Sequence, residues 1–167
     1  VGPCYNQGAT QLEARWIPVR PGTDTAFWNG VAYEMVKLDE SAGDVIDWEF
    51  LAKYTKGFTM DNMPDDAKLQ ECYQGYLLGE YDDTPKTAAW ASLICGAPEQ
   101  DIKDMAAIMS KQNNVILATG TAAARCSGVE NYPQVIYTIG LMGGHMGKQG
   151  NAVFYNLTAM NYVTKAY

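Results

Sequence analysis

Apolar residues recur along this chain with two periods, and the switches between them mark its elements. Arg15-Trp16-Ile17-Pro18-Val19-Arg20 is a short apolar run suited to an extended strand end, and Pro21-Gly22-Thr23-Asp24 breaks it. Beyond the break, Trp28, Val31, Ala32, Met35 and Val36 fall on one face of a helix, with Thr23 or Asp24 as its N-cap. Asp47 predicts a cap for a second helix, Trp48 to Tyr54, with Phe50, Leu51 and Tyr54 inward. From 57 to 86 the periodicity fails amid Gly57, Pro64, Gly75, Gly79 and Pro85, which predicts a long irregular excursion packed on something else.

Regular patterning then returns. Thr87 caps a helix running through Cys95, with Trp90, Leu93 and Ile94 on one face and Gly96 as a left-handed stop. Pro98 opens another, whose Ile102, Met105, Ala106 and Met109 share a face, and Asn113-Asn114 ends it. Val115-Ile116-Leu117-Ala118 has the continuous apolar character of a buried strand and leads into Thr119-Gly120-Thr121. A last helix, about Tyr132 to Met142, stops at Gly143-Gly144, and a glycine-rich tail follows. Strands alternating with helices predict an α/β fold, a Rossmann-like three-layer sandwich with a mostly parallel sheet. Ligands of such sheets sit beyond the carboxyl ends of strands, which singles out Pro21–Asp24 and Thr119–Thr121. Gly22 allows close backbone approach there, and Asp24 can accept two N–H donors from a guanine edge. A plain capped turn explains Pro21–Asp24 as well, and an ordinary strand–helix connection explains Thr119–Thr121.

Composition narrows the classes. With 167 residues, 47% of them apolar, the chain can bury a core of one domain. A net charge of −7 speaks against nucleic acid as a partner, because phosphate neutralisation needs a basic stripe. No apolar run approaches the roughly 20 residues of a membrane span. Cys4, Cys72, Cys95 and Cys126 form no short paired spacing, so zinc or iron–sulfur ligation within these residues is not expected. His145, the single histidine, sits in a glycine-rich turn and reads as structural; no nucleophile elbow or paired carboxylates suggest a complete active site.

Four motifs in one order add a resemblance. Trp16-Ile17-Pro18-Val19-Arg20-Pro21-Gly22-Thr23-Asp24 resembles the W-I-P-I-R-P-G-T-D segment of the dimethyl sulfoxide reductase family of molybdopterin oxidoreductases. Asp47 to Phe58 is similar to its D-x-x-F-L-x-x-Y-T-x-G-F, Thr87 to Pro98 to its T-P-E-W-A-x-x-I-C-G-V-P, and Leu141 to Lys148 to its glycine-rich L-T-G-N segment. The resemblance implies an internal fragment, residues 1–167 as a single α/β segment, of a larger multidomain catalytic subunit. That subunit would hold a bis(molybdopterin guanine dinucleotide) molybdenum cofactor for electron and oxygen-atom transfer to a sulfoxide or N-oxide. The implied cofactor-binding residues are Arg20, Pro21, Gly22, Thr23 and Asp24, with Asp24 reading guanine, and Gly120 and Thr121 at the strand end. It implies no catalytic residue and no metal ligand in this segment, so the isolated chain is expected to be inactive and free of bound cofactor.

In the parent enzyme the resemblance leaves room for an iron–sulfur cluster in an N-terminal part outside these residues. The implied partners are the rest of the subunit, an iron–sulfur electron-transfer subunit and a membrane anchor. The implied place is the periplasm or the outer face of a prokaryotic cytoplasmic membrane, with any export signal outside this segment. Departures are local. Gly2-Pro3-Cys4-Tyr5-Asn6 lacks the Asp and Arg of the family's D-P-R-x-T, and Gly120-Thr121-Ala122-Ala123-Ala124 replaces W-G-x-Q-R. Two alternatives stay open at this stage. One is a relative acting on polysulfide or thiosulfate, nitrate or formate, or a non-redox hydratase. The other is a free-standing nucleotide-binding or interaction module.

Overall fold

Residues 1–2, 4–5, 7–120 and 126–155 are described by the structure, a computed structural model. Their elements are α1 (Gln7–Gln11), α2 (Asp24–Ala42), α3 (Trp48–Tyr54), a 3-10 turn (Met60–Asn62), α4 (Tyr73–Leu78), α5 (Ala88–Cys95), α6 (Glu99–Ile108), β1 (Ile116–Thr119), α7 (Tyr132–Met142) and β2 (Ala152–Tyr155). β1 and β2 pair in parallel, Ile116 opposite Ala152 and Thr119 opposite Tyr155, with α7 as the crossover between them. This is an α/β arrangement with a small parallel sheet. The described residues hold no further strand of that sheet.

The 19 residues of α2 are the hub, packing against α4, α5, α6 and α7. Phe27, Val31, Ala32, Met35 and Val36 are buried, as the helical period requires. Gly30 sets the depth of the α2–α5 contact: a Cβ there would lie 2.6 Å from the Cβ of Ala91. This close approach reverses the expected face of α5. Ala88, Ala91 and Cys95 are buried, while Leu93 is 81% and Ile94 38% exposed. Small residues win because only they fit against Gly30. Glu34 reinforces the contact by accepting the Ala88 N–H at 3.0 Å.

Caps account for the helix ends that sequence located well. Asp47 accepts from Phe50 N at 3.1 Å and starts α3; Thr87 accepts from Trp90 N at 3.1 Å and starts α5. Gly43, Gly79 and Gly96 end α2, α4 and α5 in the left-handed conformation. In α3 only Leu51 is buried. Tyr54 is not inward: it stays 57% exposed at the rim between α3 and α7.

Several other expectations change. Residues 15–20 form no ladder, only one isolated parallel bridge between Gly2 and Pro18. The strand begins at Ile116 rather than Val115 and alternates: Leu117 is buried against the helices, whereas Ile116 is 66% exposed on the open face. The glycine-rich tail contains β2, which is short and follows three turns. Residues 57–86 carry a 3-10 turn and α4 and are tied down locally. Tyr73 N donates to Gly57 O at 2.9 Å, Gln74 N to Phe58 O at 2.9 Å, and Phe58 and Leu77 are buried. Lys86 is also buried, its ammonium bonded to Asp82 at 2.6 Å and lying 4.4 Å from the Tyr76 ring centroid. No helix among the described residues is long and apolar enough to cross a membrane.

Candidate functional site

The Pro21–Asp24 turn is held by its backbone and by Arg20. Arg20 N donates to Cys95 O at 2.8 Å, and the guanidinium donates to the carbonyls of Leu93 and Ile94, both at 2.9 Å. Arg20 thus satisfies the carbonyl end of α5 and anchors the turn there. Gly22 takes φ +77°, a conformation that favours glycine, and no neighbour lies within 4 Å of where a Cβ would stand. The Thr23 hydroxyl donates back to Arg20 O at 2.7 Å, so Thr23 occupies the N-cap position without capping through its side chain. Asp24 is the first helical residue, where the helix dipole favours a carboxylate.

The Asp24 carboxyl is half-buried and poorly matched. Burial raises its pKa above the ordinary carboxylate value; its own backbone N–H and the N-terminal amino group act the other way. It lines a cleft of about 310 Å³ together with Trp28, Thr119 and Tyr132. The remaining walls come from the N-terminal Val1, from the end of α6 with Met109 after it, and from Val115 and the length of β1. Thr119 Oγ1 and the Tyr132 hydroxyl are 2.6 Å apart at the carboxyl end of β1. Burial pushes the Tyr132 phenol above its ordinary pKa, and the nearby Asp24 charge adds to this while the Thr119 bond opposes it.

The two regions singled out from sequence therefore meet. Asp24 stands across the cleft from the strand end, and Gly120 follows Thr119, exposed and with nothing within 4 Å of a Cβ position. Arg20, Pro21, Gly22 and Thr23 shape the turn but do not line this cleft, and Thr121 lies outside the described residues. Sequence reasoning placed Trp28 in the core and Tyr132 at a helix start, and missed both as cleft residues. Their signal was positional: Trp28 is one turn after Asp24, on the same helix face.

A larger groove of about 610 Å³ runs between α3 and α7, walled by Phe50, Tyr54, Tyr137, Leu141 and Met146. Lys148 also lines this groove, whose walls are otherwise mostly apolar; we assign the site to the smaller cleft because there Asp24 meets the carboxyl end of β1. His145 is buried, with Nε2 2.9 Å from Met109 O and Nδ1 2.9 Å from Asn151 Oδ1; it stitches the turns after α6 and α7. No group of three or more His, Cys, Asp or Glu among the described residues is placed to hold a metal ion.

Comparison with known proteins gives a consistent picture. No family model matches the chain. It is 32% identical over 151 residues, 90% of its length, to the dimethyl sulfoxide reductase DmsA of Escherichia coli K12. It is 33% identical over 150 residues to the trimethylamine-N-oxide reductase of Haemophilus influenzae, again across 90% of the chain. The biotin sulfoxide reductase of Cereibacter sphaeroides matches over 163 residues, 98% of the chain, at 28% identity. The chain belongs to the dimethyl sulfoxide reductase family. It spans only 18%, 16% and 20% of the length of these three relatives. Dimethyl sulfoxide reductase relatives thus align with nearly all of this chain, including the turn that carries Asp24.

Proposed function

We propose that this chain is the part of a sulfoxide or N-oxide reductase that grips one guanosine end of a bis(molybdopterin guanine dinucleotide) cofactor. The observation that carries the reading is the Asp24 carboxylate. It faces a cleft at the end of a parallel strand, with its charge partly desolvated and few donors of its own. A guanine edge offers two N–H groups to such a carboxylate, and an adenine edge does not present that pair.

The residues present fit the group. Asp24 would accept the base edge, Trp28 and Tyr132 would wall the ring, and the Thr119–Tyr132 hydroxyl pair would meet polar atoms of the ribose. Gly22, Gly120 and, by the family's pattern, Thr121 would let the backbone come close. Arg20, Pro21 and Thr23 position Asp24 by fixing the turn. When bound, the molybdenum centre supplies oxygen-atom and electron transfer, and no residue of this chain acts in that step. The parent enzyme would receive electrons from an iron–sulfur subunit docked to a membrane anchor.

Titration with guanosine monophosphate, followed by NMR, tests the reading. Shifts concentrated on the Trp28 indole, Tyr132 and the Asp24 turn, absent with adenosine monophosphate, are expected. Equal shifts from both nucleotides, or shifts elsewhere, would remove the assignment.

A further inference from the structure

His145 is 1% exposed, so both of its ring nitrogens must find partners inside the protein. The ring occupies space that Gly143 leaves open: a Cβ there would lie 2.2 Å from Nε2. Nε2 is 2.9 Å from Met109 O, a main-chain carbonyl that can only accept. Nδ1 is 2.9 Å from Asn151 Oδ1. An amide can turn over and offer its nitrogen instead, but its other neighbours fix this one. Val115 N, which can only donate, gives its proton to Asn151 Oδ1 at 2.9 Å. Asn151 Nδ2 in turn donates to the Gln149 carbonyl at 3.3 Å and to Asn114 Oδ1 at 3.1 Å. Turning the amide would set N–H against N–H at Val115 and oxygen against oxygen at Gln149.

Both ring nitrogens therefore face acceptors. A neutral imidazole has one N–H and one bare lone pair. Either neutral tautomer would press that lone pair against an oxygen at 2.9 Å, in a site closed to water. The imidazolium, with two N–H donors, satisfies both oxygens. Burying its charge has a cost, which two charge-assisted bonds offset. Met109 also caps the carbonyl end of α6, where the helix dipole favours a cation. The charged groups around the ring are paired with one another. Asp47 and Lys148, 2.9 Å apart, pack on Gly144, and Asp44 pairs with Lys111, two residues past Met109. On the strand side the neighbours are the neutral Asn114, Gln149 and Asn151.

We infer that His145 is held as an imidazolium at neutral pH, and that its second ring proton locks the starts of β1 and β2 together. Asn151 is the joint. Its Oδ1 accepts both the ring and Val115 N, just before β1, and the next residue opens β2, where Ala152 N donates to Val115 O at 3.0 Å. Loss of the proton turns one of the two ring bonds into a repulsion and loosens the strand pair whose carboxyl end carries Thr119. Because the folded state binds this proton, the lock is complete on the acid side of neutrality and weakens as pH rises. A histidine in water is largely neutral at pH 7, so the lock sets this ring apart. The inference does not depend on the guanosine reading.

Nitrogen NMR of the full 167-residue chain reads the ring directly. At neutral pH both ring nitrogens are expected to resonate as protonated, each with its own N–H signal, and one should move to the unprotonated range in alkali. A single ring N–H at neutral pH, with the other nitrogen bare, would overturn the inference. Asn151→Asp sets a carboxylate against Nδ1 and should carry the second proton to higher pH than in the parent; loss at the same or lower pH would contradict the assignment. His145→Gln can reach only one of the two oxygens. Its melting temperature should fall below the parent's at roughly pH 6, and the gap should close toward roughly pH 9. A gap that stays constant over that range would leave His145 as neutral packing and remove the lock. Should the glutamine variant not fold, the parent's ring signals still decide.

Discussion

Asp24 and Asp39 sit near opposite ends of one helix, and their carboxylates are treated very differently. Asp39, in the last turns of α2, accepts Val45 N at 2.8 Å, Ile46 N at 2.9 Å and the Trp48 indole N–H at 2.6 Å. Burial works against its charge, yet those three donors outweigh it and hold the carboxyl below its ordinary pKa. Nearby Asp47 is also held low, first by the Lys148 ammonium at 2.9 Å and then by its cap bond to Phe50, against a burial cost. Asp24 is shifted the other way. The contrast separates carboxylates whose charge the fold satisfies with its own donors from one whose charge it leaves partly desolvated, which is the feature the proposed guanine contact rests on.

The comparison can be broken first at its satisfied end. Asp39→Ala leaves two backbone N–H groups and an indole without their acceptor, and is expected to lower stability by about 1–3 kcal/mol in thermal or urea unfolding. A change within error would mean that the Asp39 bonds are replaced by water at no cost. Asp47→Ala removes a helix cap and an exposed ion pair, with an expected loss of about 1 kcal/mol, most of it from the cap. Asp47→Asn, which keeps a cap, should recover the greater part.

Acid sharpens the contrast without mutation. Asp39 and Asp47 have folded pKa values below their unfolded ones. Their stabilisation is therefore present above the unfolded carboxylate range and is lost as pH falls through the depressed values. Asp24 has the opposite sign: its unfavourable burial is felt as pH rises through its raised value, so its protonation favours the fold. Chemical-shift titration of the three carboxyls should place Asp24 highest. Finding Asp24 below Asp39 would refute the electrostatic part of the contrast. Smallest of all is the expected effect of Asp24→Asn on stability, within about 0.5 kcal/mol of the parent, since Asn suits a helix start about as well as Asp.

What sequence revealed, and what it hid, follows the same division between local and distant causes. The bounds of α3, α5 and α7 were legible because Asp47, Thr87, Gly96 and Gly143 act on their own neighbours. The orientation of α5 was not, because it depends on Gly30, more than fifty residues earlier, admitting Ala91. The ordering of 57–86 was hidden likewise, since it rests on the Tyr73–Asn29 bond and the burial of Lys86. At the cleft, sequence singled out the Pro21–Asp24 turn and the Thr119–Thr121 strand end. That Trp28 and Tyr132 complete it follows only from how α2, β1 and α7 pack.

The central claim is that Asp24 is kept for a guanine, and Asp24→Asn tests it most directly. In the variant one acceptor oxygen becomes a donor, so one guanine N–H faces another N–H. An unpaired donor of this kind costs roughly 1–3 kcal/mol, or about 5- to 150-fold in affinity. Guanosine monophosphate affinity measured by calorimetry on parent and variant should fall by that factor, with adenosine monophosphate binding and melting temperature unchanged. Guanine affinity equal in the two proteins would contradict the account and leave Asp24 as no more than the first residue of a helix.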